Sequence, residues 1–417
     1  MASTAAVAHV PSAAAPVSPS LARLPLILAA IGGVGALIGM LVPGLQKQFA
    51  FSWLLAFMFY LSLMLGGLFL VILHHLFDAQ WSVPIRRITE HLACLSPVIA
   101  VFFVPILVNA LVAGPEKTLF QWMHSDPHQD HALMAKQALF NKPAWVVVSL
   151  AVLAVWYFLT HALRSASLKQ DLDGAASHTR RLRFLAALGI FLFAVTLTLG
   201  AILWMKSLQW QWFSTMYGVY YFAGSVWLTV GTVYVITMFL HRAGPLRPVI
   251  QPVTYHDMGK LFFAFTVFYA YIAFSQYFLI WNANIPEETF WYVLREKGSW
   301  WSLGMLMIFG HFFLPFLLLL RIDTKMSLTV MLPLAVWAWV MHFCDLSFNI
   351  MPVLHPEGFV VHWLDLACMA FMGGVMALAF IRQFRAHPPF PQKDPRMAEA
   401  LGIHLPATGG KSHGGAH

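Results

Sequence analysis

Two short motifs place a histidine and an aspartate three residues apart. "HFCD" runs from His342 to Asp345, and "HWLD" runs from His362 to Asp365. Side chains at positions i and i+3 share one face of a helix, so each motif presents an imidazole and a carboxylate to the same neighbour. An anion beside a histidine favours the protonated imidazole. The chemistry that these residues offer is therefore the uptake and transfer of protons.

The composition predicts where this chemistry takes place. The chain has 417 residues, of which 59% are hydrophobic and only 10% are charged, and its mean hydropathy is +0.71. Soluble domains carry about 25% charged residues, so these values are typical of a polytopic membrane protein. The formal charge of +8 belongs to the loops on one side of such a protein. We therefore expect a lipid bilayer as the surroundings and no nucleic acid as a partner.

The hydrophobic segments predict the fold class. A bilayer core needs about 20 apolar residues per helix, and ten segments meet this length. The fold is thus an all-α domain of ten transmembrane helices, residues 24–383, between flexible tails, 1–23 and 384–417. The predicted spans are 24–42, 51–73, 93–113, 144–163, 184–204, 218–240, 259–281, 301–320, 328–349 and 361–381.

The distribution of basic residues predicts the orientation. Ten spans put both termini on one side of the membrane. Of the 25 Lys and Arg residues, 18 fall in the tails and in the connections on that side. The positive-inside rule then places both termini in the cytoplasm.

A short internal repeat predicts how the helices are grouped. "VILHH" (71–75) and "TEH" (89–91) recur four helices later as "MFLHR" (238–242) and "TYH" (254–256). This spacing favours two related four-helix bundles, helices 2 to 5 and 6 to 9, flanked by helices 1 and 10. The alternative is that interfacial histidines recur by convergence.

The topology also assigns a depth to each polar residue at 1.5 Å per helical residue. His311 falls near mid-membrane, and other ionisable or hydrogen-bonding side chains fall at mid-depth or in the outer half. Ionisable groups inside a membrane avoid lipid and pair with one another, so we expect them to face the bundle interior. The candidate quinone-binding or proton-path residues are Tyr269, Tyr271, Gln276, Tyr277, His342, Asp345, His362 and Asp365.

Two functions fit this group. Quinol oxidation releases two protons with two electrons, and we assign His342 as proton acceptor, Asp345 as its orienting anion and His311 as the next proton station. Gln276 or Tyr277 would supply hydrogen bonds to the quinol. The same side chains would serve equally in a proton wire without quinone. A structural alternative also remains, in which the aspartates cap helix ends or bind loop amides.

Other polar segments predict less specific roles. In the connection 74–91, Asp78, Glu90 and His91 suit proton uptake or a docking surface, although interfacial anchoring and helix capping explain them as well. The external segment 114–143 suits an interfacial helix or a docking loop. We expect no metal there, because a fourth ligand is missing from the set His124, His128 and His131. The sequence also lacks a CxxC pair for an iron–sulfur cluster or a c-type haem, and His311 has no histidine partner at its depth for a b-type haem.

Four stretches carry a resemblance to a known family. They are "HHLFDAQWSVPIRRITEH" (74–91), "FTVFYAYIAFSQYFLIWNANIPEET" (265–289), "GHFFLPFLLLLRI" (310–322) and "MHFCDL…MP" (341–352). Together they resemble one of the two NrfD-like integral membrane subunits of bacterial alternative complex III, a quinol:electron-acceptor oxidoreductase. His311, His342, Asp345 and Gln276 lie within the matching stretches.

The resemblance implies a multi-pass subunit of the bacterial inner membrane that binds no cofactor itself and is not active alone. Quinol or quinone would be the substrate, with iron–sulfur clusters and haem c on partner subunits. The implied partners are the other NrfD-like subunit, the iron–sulfur and haem c subunits, and a cytochrome or terminal oxidase. That other NrfD-like subunit is the stronger candidate for quinol oxidation, so a proton-conducting or scaffold role without quinone is an alternative. A secondary transporter is the alternative from another class.

Overall fold

The computed structural model describes residues 22–403, which contain helices and no β-strand. Ten of these helices are long and apolar enough to cross a membrane, so the prediction of an all-helical, multi-pass membrane protein is confirmed. They are α1 (Arg23–Leu41), α2 (Gln46–Phe77), α3 (Gln80–Val112), α4 (Lys142–Asp173), α5 (Ala176–Trp204), α6 (Tyr217–Ala243), α7 (Pro252–Ala283), α8 (Gly298–Leu319), α9 (Leu328–Ile350) and α10 (Trp363–Ala386).

Shorter helices lie in the connections. They are Lys206–Gln209 before α6, Pro286–Val293 and Leu294–Glu296 before α8, Ile322–Met326 before α9, Met351–Val353 after it, and Gln121–His124 and His131–Ala135 in the segment between α3 and α4. We call the side where α1 begins and α10 ends the terminal side, and the other the opposite side.

Helix α2 is the central element. It packs against α3, α5, α6, α9 and α10, and its side chains are buried along almost its whole length. Two adjacent glycines allow this. A Cβ on Gly66 would lie 2.1 Å from Thr229 Oγ1 of α6, and a Cβ on Gly67 would lie 2.9 Å from Leu92 Cβ of α3. Only glycine lets the three backbones approach so closely.

The remaining contacts form two rings. In one, α3 and α5 each contact α2 and α4, and in the other, α7 and α9 each contact α6 and α8. Helix α2 joins the rings through α6, while α1 packs mainly on α10. Two four-helix bundles flanked by α1 and α10 require these contacts. That the two bundles are related as an internal repeat stays a prediction.

Two spans are not regular α-helices. Helix α3 begins with a 3₁₀ turn, Gln80–Ile85, that contains Pro84. Helix α8 is π-helical over Met307–Phe313, around His311. Short π-helical insertions are frequent at functional sites. In this π-helical stretch of α8 the carbonyl of Gly310 accepts a hydrogen bond from a neighbouring helix, since Trp337 Nε1 of α9 donates to Gly310 O at 2.7 Å.

The structure revises two segment boundaries that were predicted from the sequence. Helix α4 continues about ten residues past the predicted end at 163, because its polar last turns are buried among charged residues of α3. The segment 384–403 is not a flexible tail, since Phe390 and Met397 are buried against the helical domain. The rest of that predicted tail and residues 1–21 lie outside the described residues.

Candidate functional site

A buried carboxylate lies at the centre of the second ring. Asp345 of α9 is 2% exposed. Its Oδ1 accepts hydrogen bonds from the hydroxyls of Tyr220 of α6 and Tyr269 of α7, the latter at 2.9 Å. The two hydroxyls lie 2.8 Å apart. Among residues 22–403, no Lys, Arg or His forms an ion pair with this carboxylate. An ionisable group kept in a membrane domain without a counter-ion is by default a candidate functional group.

His342 lies one turn before Asp345, and its partner is not the one predicted. The sequence assigns Asp345 as the anion that orients His342, but His342 Nε2 is instead 2.9 Å from Ser62 Oγ of α2. Ser62 donates its own proton to Met58 O at 3.0 Å. We therefore infer that His342 Nε2 carries the proton donated to Ser62. Nδ1 is then an acceptor, and it is buried without a hydrogen-bond partner.

Gly224 of α6 marks the space that the imidazole and the carboxylate share. A Cβ added to Gly224 would lie 3.4 Å from His342 Nδ1 and 3.7 Å from Asp345 Oδ2. Both atoms therefore lie within 4 Å of one point above the α6 backbone. The HxxD spacing brings the two groups together as predicted from the helical period, but through a common space rather than a direct bond.

His311 completes the cluster from α8. Its ring is stacked between Trp227 of α6, at a centroid distance of 3.9 Å, and Tyr269, at 3.8 Å. The ring is fully buried, and neither nitrogen has a hydrogen-bond partner. A buried polar atom without a partner costs about 1–3 kcal/mol, so this arrangement calls for a functional explanation.

An arginine closes the opposite side of the cluster. The guanidinium of Arg295 donates to Phe348 O at 2.7 Å and Asn349 O at 3.1 Å, where it neutralises the carboxyl-terminal end of α9. Burial lowers the pKa of Arg295 to about 9, so it remains a cation at neutral pH. The Asn349 side chain donates to Asp345 O at 2.8 Å and accepts from Tyr217 OH at 3.1 Å. Arg295 therefore holds the turn that positions the carboxylate.

The structure leaves five other predicted residues outside this cluster. Gln276 accepts from Ser214 at 2.8 Å and donates to Tyr292 OH at 3.1 Å, so it ties connecting segments together. Tyr277 and Tyr271 lie on the outer surface of α7 and are 42% and 64% exposed. His362 caps α10 in a capping box with Asp365.

Asp365 is also accounted for by structural contacts. Its Oδ2 accepts from His362 N at 2.8 Å, and its Oδ1 accepts from Ser52 Oγ at 2.5 Å. The alternative prediction, in which the aspartates cap helix ends or bind loop amides, therefore describes Asp365. Asp345, in contrast, caps no helix.

A second polar cluster is buried in the first ring, toward the terminal side. Glu90 of α3 pairs with Arg86 at 3.2 Å and Arg87 at 2.6 Å, and it accepts from Ser167 of α4 at 2.7 Å. Arg87 also forms an ion pair with Asp171 of α4. All five side chains are less than a tenth exposed. We call this set, with the two histidines below, the ionic network.

Two histidines of the network each accept a hydrogen bond from an arginine. Arg164 Nη1 donates to His91 Nδ1 at 2.9 Å, and Arg86 Nη1 donates to His74 Nε2 at 3.1 Å. Among the residues that the sequence assigned to proton uptake or docking, Glu90 and His91 are therefore buried together.

Asp78 lies apart from them, at the rim of the domain. It ends α2 with a positive φ of 55° and pairs with Arg183 at 2.7 Å and with Arg396. Burial alone would raise the pKa of Asp78, but hydrogen bonds from the two arginines outweigh it and lower the pKa.

The two clusters are separated along α2. Ser62 touches the first cluster and His74 the second, and twelve residues of helix span about 18 Å. A cleft lined by Leu70, His74, Arg86, Thr89 and Val230 occupies part of this interval and has room for about one water molecule. It is too narrow for a quinone ring.

Sequence reasoning missed several residues of the first cluster, above all Tyr220, Ser62 and Trp227. One signal was present, because Tyr217, Tyr220, Gly224 and Trp227 follow helical spacing and share one face of α6. The contribution of Ser62 had no comparable signal, since a lone serine in an apolar helix usually bonds its own backbone.

The site and fold therefore define a polytopic helical membrane protein with two buried polar clusters. The chain matches no protein-family model and no curated protein. Within residues 22–403, no three His, Cys, Asp or Glu side chains converge in a way that could hold a metal ion.

Proposed function

We propose that this chain carries protons through the membrane domain of a quinol-oxidising respiratory complex of the alternative complex III type. The observation that carries the proposal is the Asp345 carboxylate, buried without a counter-ion and hydrogen-bonded by two tyrosine hydroxyls. Carboxyl, phenol and imidazole groups in contact can exchange protons along the series. The resemblance of helices 2 to 10 to an NrfD-like membrane subunit of that complex supplies the respiratory setting.

The path runs between the two clusters. Protons would enter at the ionic network, pass the cleft beside His74, and reach Asp345 through His342 and the space above Gly224. With the termini in the cytoplasm of a bacterium, the network faces the cytoplasm and the Asp345 cluster lies in the outer half of the inner membrane. The positive-inside distribution of Lys and Arg supports this orientation.

The test uses the assembled complex in proteoliposomes, in which quinol turnover and protons moved per electron are measured separately. Asp345→Asn and His342→Ala are expected to lower the proton-to-electron ratio and to leave quinol turnover and assembly intact. Asp365→Asn is the matched control, because it alters a buried carboxylate that caps a helix, and it should leave the ratio unchanged. An unchanged ratio in both cluster variants would overturn proton conduction by this chain.

A quinol site is the second candidate, and one observation favours it. The Tyr277 ring, 42% exposed on the outer surface of α7, meets the buried Tyr292 ring at a centroid distance of 5.1 Å, and the Gln276 amide is bonded to Tyr292. Aromatic side chains together with a few polar groups that fix orientation are the side chains that bind a ligand such as a quinone head group. If this candidate is correct, Tyr277→Ala lowers quinol turnover in the same assay, whereas the proton-path variants leave turnover unchanged.

A further inference from the structure

The segment after α10, residues 387–403, carries its own charges into the ionic network. We call it the C-terminal strap. Asp394 forms an ion pair with Arg86, and Gln392 N donates to Asp171 Oδ1 at 2.9 Å. The strap therefore contacts both the α3 and the α4 sides of the network. Asp394 is a partner of Arg86 that the ten helices do not provide.

Apolar contacts hold the strap in place. Phe390 is 3% exposed and Met397 is 7% exposed. The short helix Met397–Ala400 packs against the 3₁₀ turn Gln80–Ile85 at the start of α3. These anchors lie on either side of Asp394, so its carboxylate is fixed over Arg86 rather than free in solvent.

Arg86, which is held by Asp394, also contacts a histidine. Its Nη1 donates both to Asp394 and to His74 Nε2. Because a guanidinium only donates, His74 Nε2 is an acceptor, and Nδ1 carries the proton and donates it to Ser82 Oγ at an Nδ1–Oγ distance of 2.6 Å. While Arg86 stays in this position, the Nε2 lone pair is occupied and cannot take a proton from water.

We propose that Asp394 is a positioning residue of the proton path, which holds Arg86 against His74 and closes the terminal side of the ionic network to water. When the strap lifts, Arg86 is released, and His74 Nε2 becomes free to accept a proton from a water molecule. This inference deepens the proposed function and rests on it for its consequence in proton transfer. The closure itself is measurable without any assumption about protons.

The experiment places a thiol under the strap. Ile85 lines the cleft beside Arg86 and is 2% exposed, and the three native cysteines are buried. In the complete complex in lipid nanodiscs, Ile85→Cys should react slowly with a membrane-impermeant maleimide, with the parent chain as the blank. Adding Asp394→Asn should speed labelling by about tenfold or more, because local opening limits access to a buried thiol.

Two further variants separate positioning from general destabilisation. Asp394→Glu, which keeps the charge, should restore slow labelling. Glu399→Gln removes an exposed acidic side chain from the same strap and should leave labelling slow. Equally slow labelling in Asp394→Asn and in a chain ending at 386, both properly folded, would overturn the inference, even if the thermal stability falls.

The proton assay distinguishes this inference from the proposed function. Faster labelling together with an altered proton-to-electron ratio in Asp394→Asn supports both. Faster labelling with an unchanged ratio in Asp394→Asn and Asp345→Asn supports closure by the strap and overturns proton conduction.

Discussion

The Tyr269 ring lies 3.8 Å from the His311 ring and only 18° from parallel to it. The hydroxyl of the same tyrosine donates to Asp345. Tyr269 therefore contacts the carboxylate of α9 with one end and the imidazole of α8 with its face. Because α7 supplies this tyrosine, three helices of the second ring meet at one side chain.

This double contact predicts a specific effect of Tyr269→Phe. The ring that stacks on His311 is kept, while the hydroxyl that binds Asp345 is lost. We expect a lower proton-to-electron ratio, with a loss of unfolding free energy of about 1.5–3 kcal/mol for one buried hydrogen bond to a carboxylate. Tyr271→Phe is the control, because Tyr271 lies on the outer surface of the same helix. An equal ratio in the two variants would exclude a role for the phenol.

The space above Gly224 gives a second prediction. Gly224→Ala places a methyl group 3.3 Å from His342 Cε1 and 3.7 Å from Asp345 Oδ2. Both acidic and basic groups stay in the chain, but the space that joins them is filled. We expect proton transfer to fall, with an overpacking cost of about 1–3 kcal/mol. Proton pumping and thermal unfolding are measured together.

The control for that substitution is Gly304→Ala in α8, whose new methyl group makes only ordinary contacts, at 3.7 Å or more. It should behave as the parent in both measurements. If Gly224→Ala pumps protons as well as Gly304→Ala does, the shared space carries no proton.

How much of this was predictable follows from the physics of each signal. The ten membrane-spanning helices were predictable from the sequence, because length and hydropathy decide whether a helix can cross a bilayer. The pairing of His342 with Asp345 on one face was also predictable from the helical period. The partner Ser62 was not, since it is 280 residues away and the nearly uniform apolar surface of α2 does not indicate which face meets α9.

The burial of the ionic network was also not predictable from the sequence. Its residues in the connection 74–91 stood out by charge density, but burial depends on Asp171 at the end of α4 and on Asp394 of the strap. A charged, Pro-containing segment after the last span is typical of a solvated tail. Only the folded structure shows that it returns to cover Arg86.

The network predicts a large stability effect for Glu90→Gln. The change removes the carboxylate that Arg86 and Arg87 share and leaves each arginine one carboxylate, Asp394 and Asp171 respectively. Removing one member of an isolated buried ion pair costs about 3–5 kcal/mol, and the two remaining carboxylates place the expected cost at the lower end of that range. We expect the thermal midpoint of the detergent-solubilised chain to fall accordingly. Glu116→Gln, at an exposed site between α3 and α4, should leave the thermal midpoint unchanged. A similar small shift of the midpoint in both variants would show that the network is not tightly coupled.

Lys206, between α5 and α6 on the opposite side, gives a prediction in pH. Burial and then the charge of nearby Lys136 lower its pKa to about 7, from 10.5. Between these two values an unfolded chain binds a proton that the folded chain does not, so folding is penalised as pH falls from about 10.5 to 7, and the penalty is fully present below 7. Lys206→Met should therefore raise the free energy of unfolding, by on the order of 1 kcal/mol or more at pH 7, and the gain should fade toward pH 10. Thermal melts from pH 6 to 10 measure it against Lys117→Met, at an exposed lysine on the same side. A gain for Lys206→Met that does not change with pH would mean that packing, and not the buried charge, is responsible.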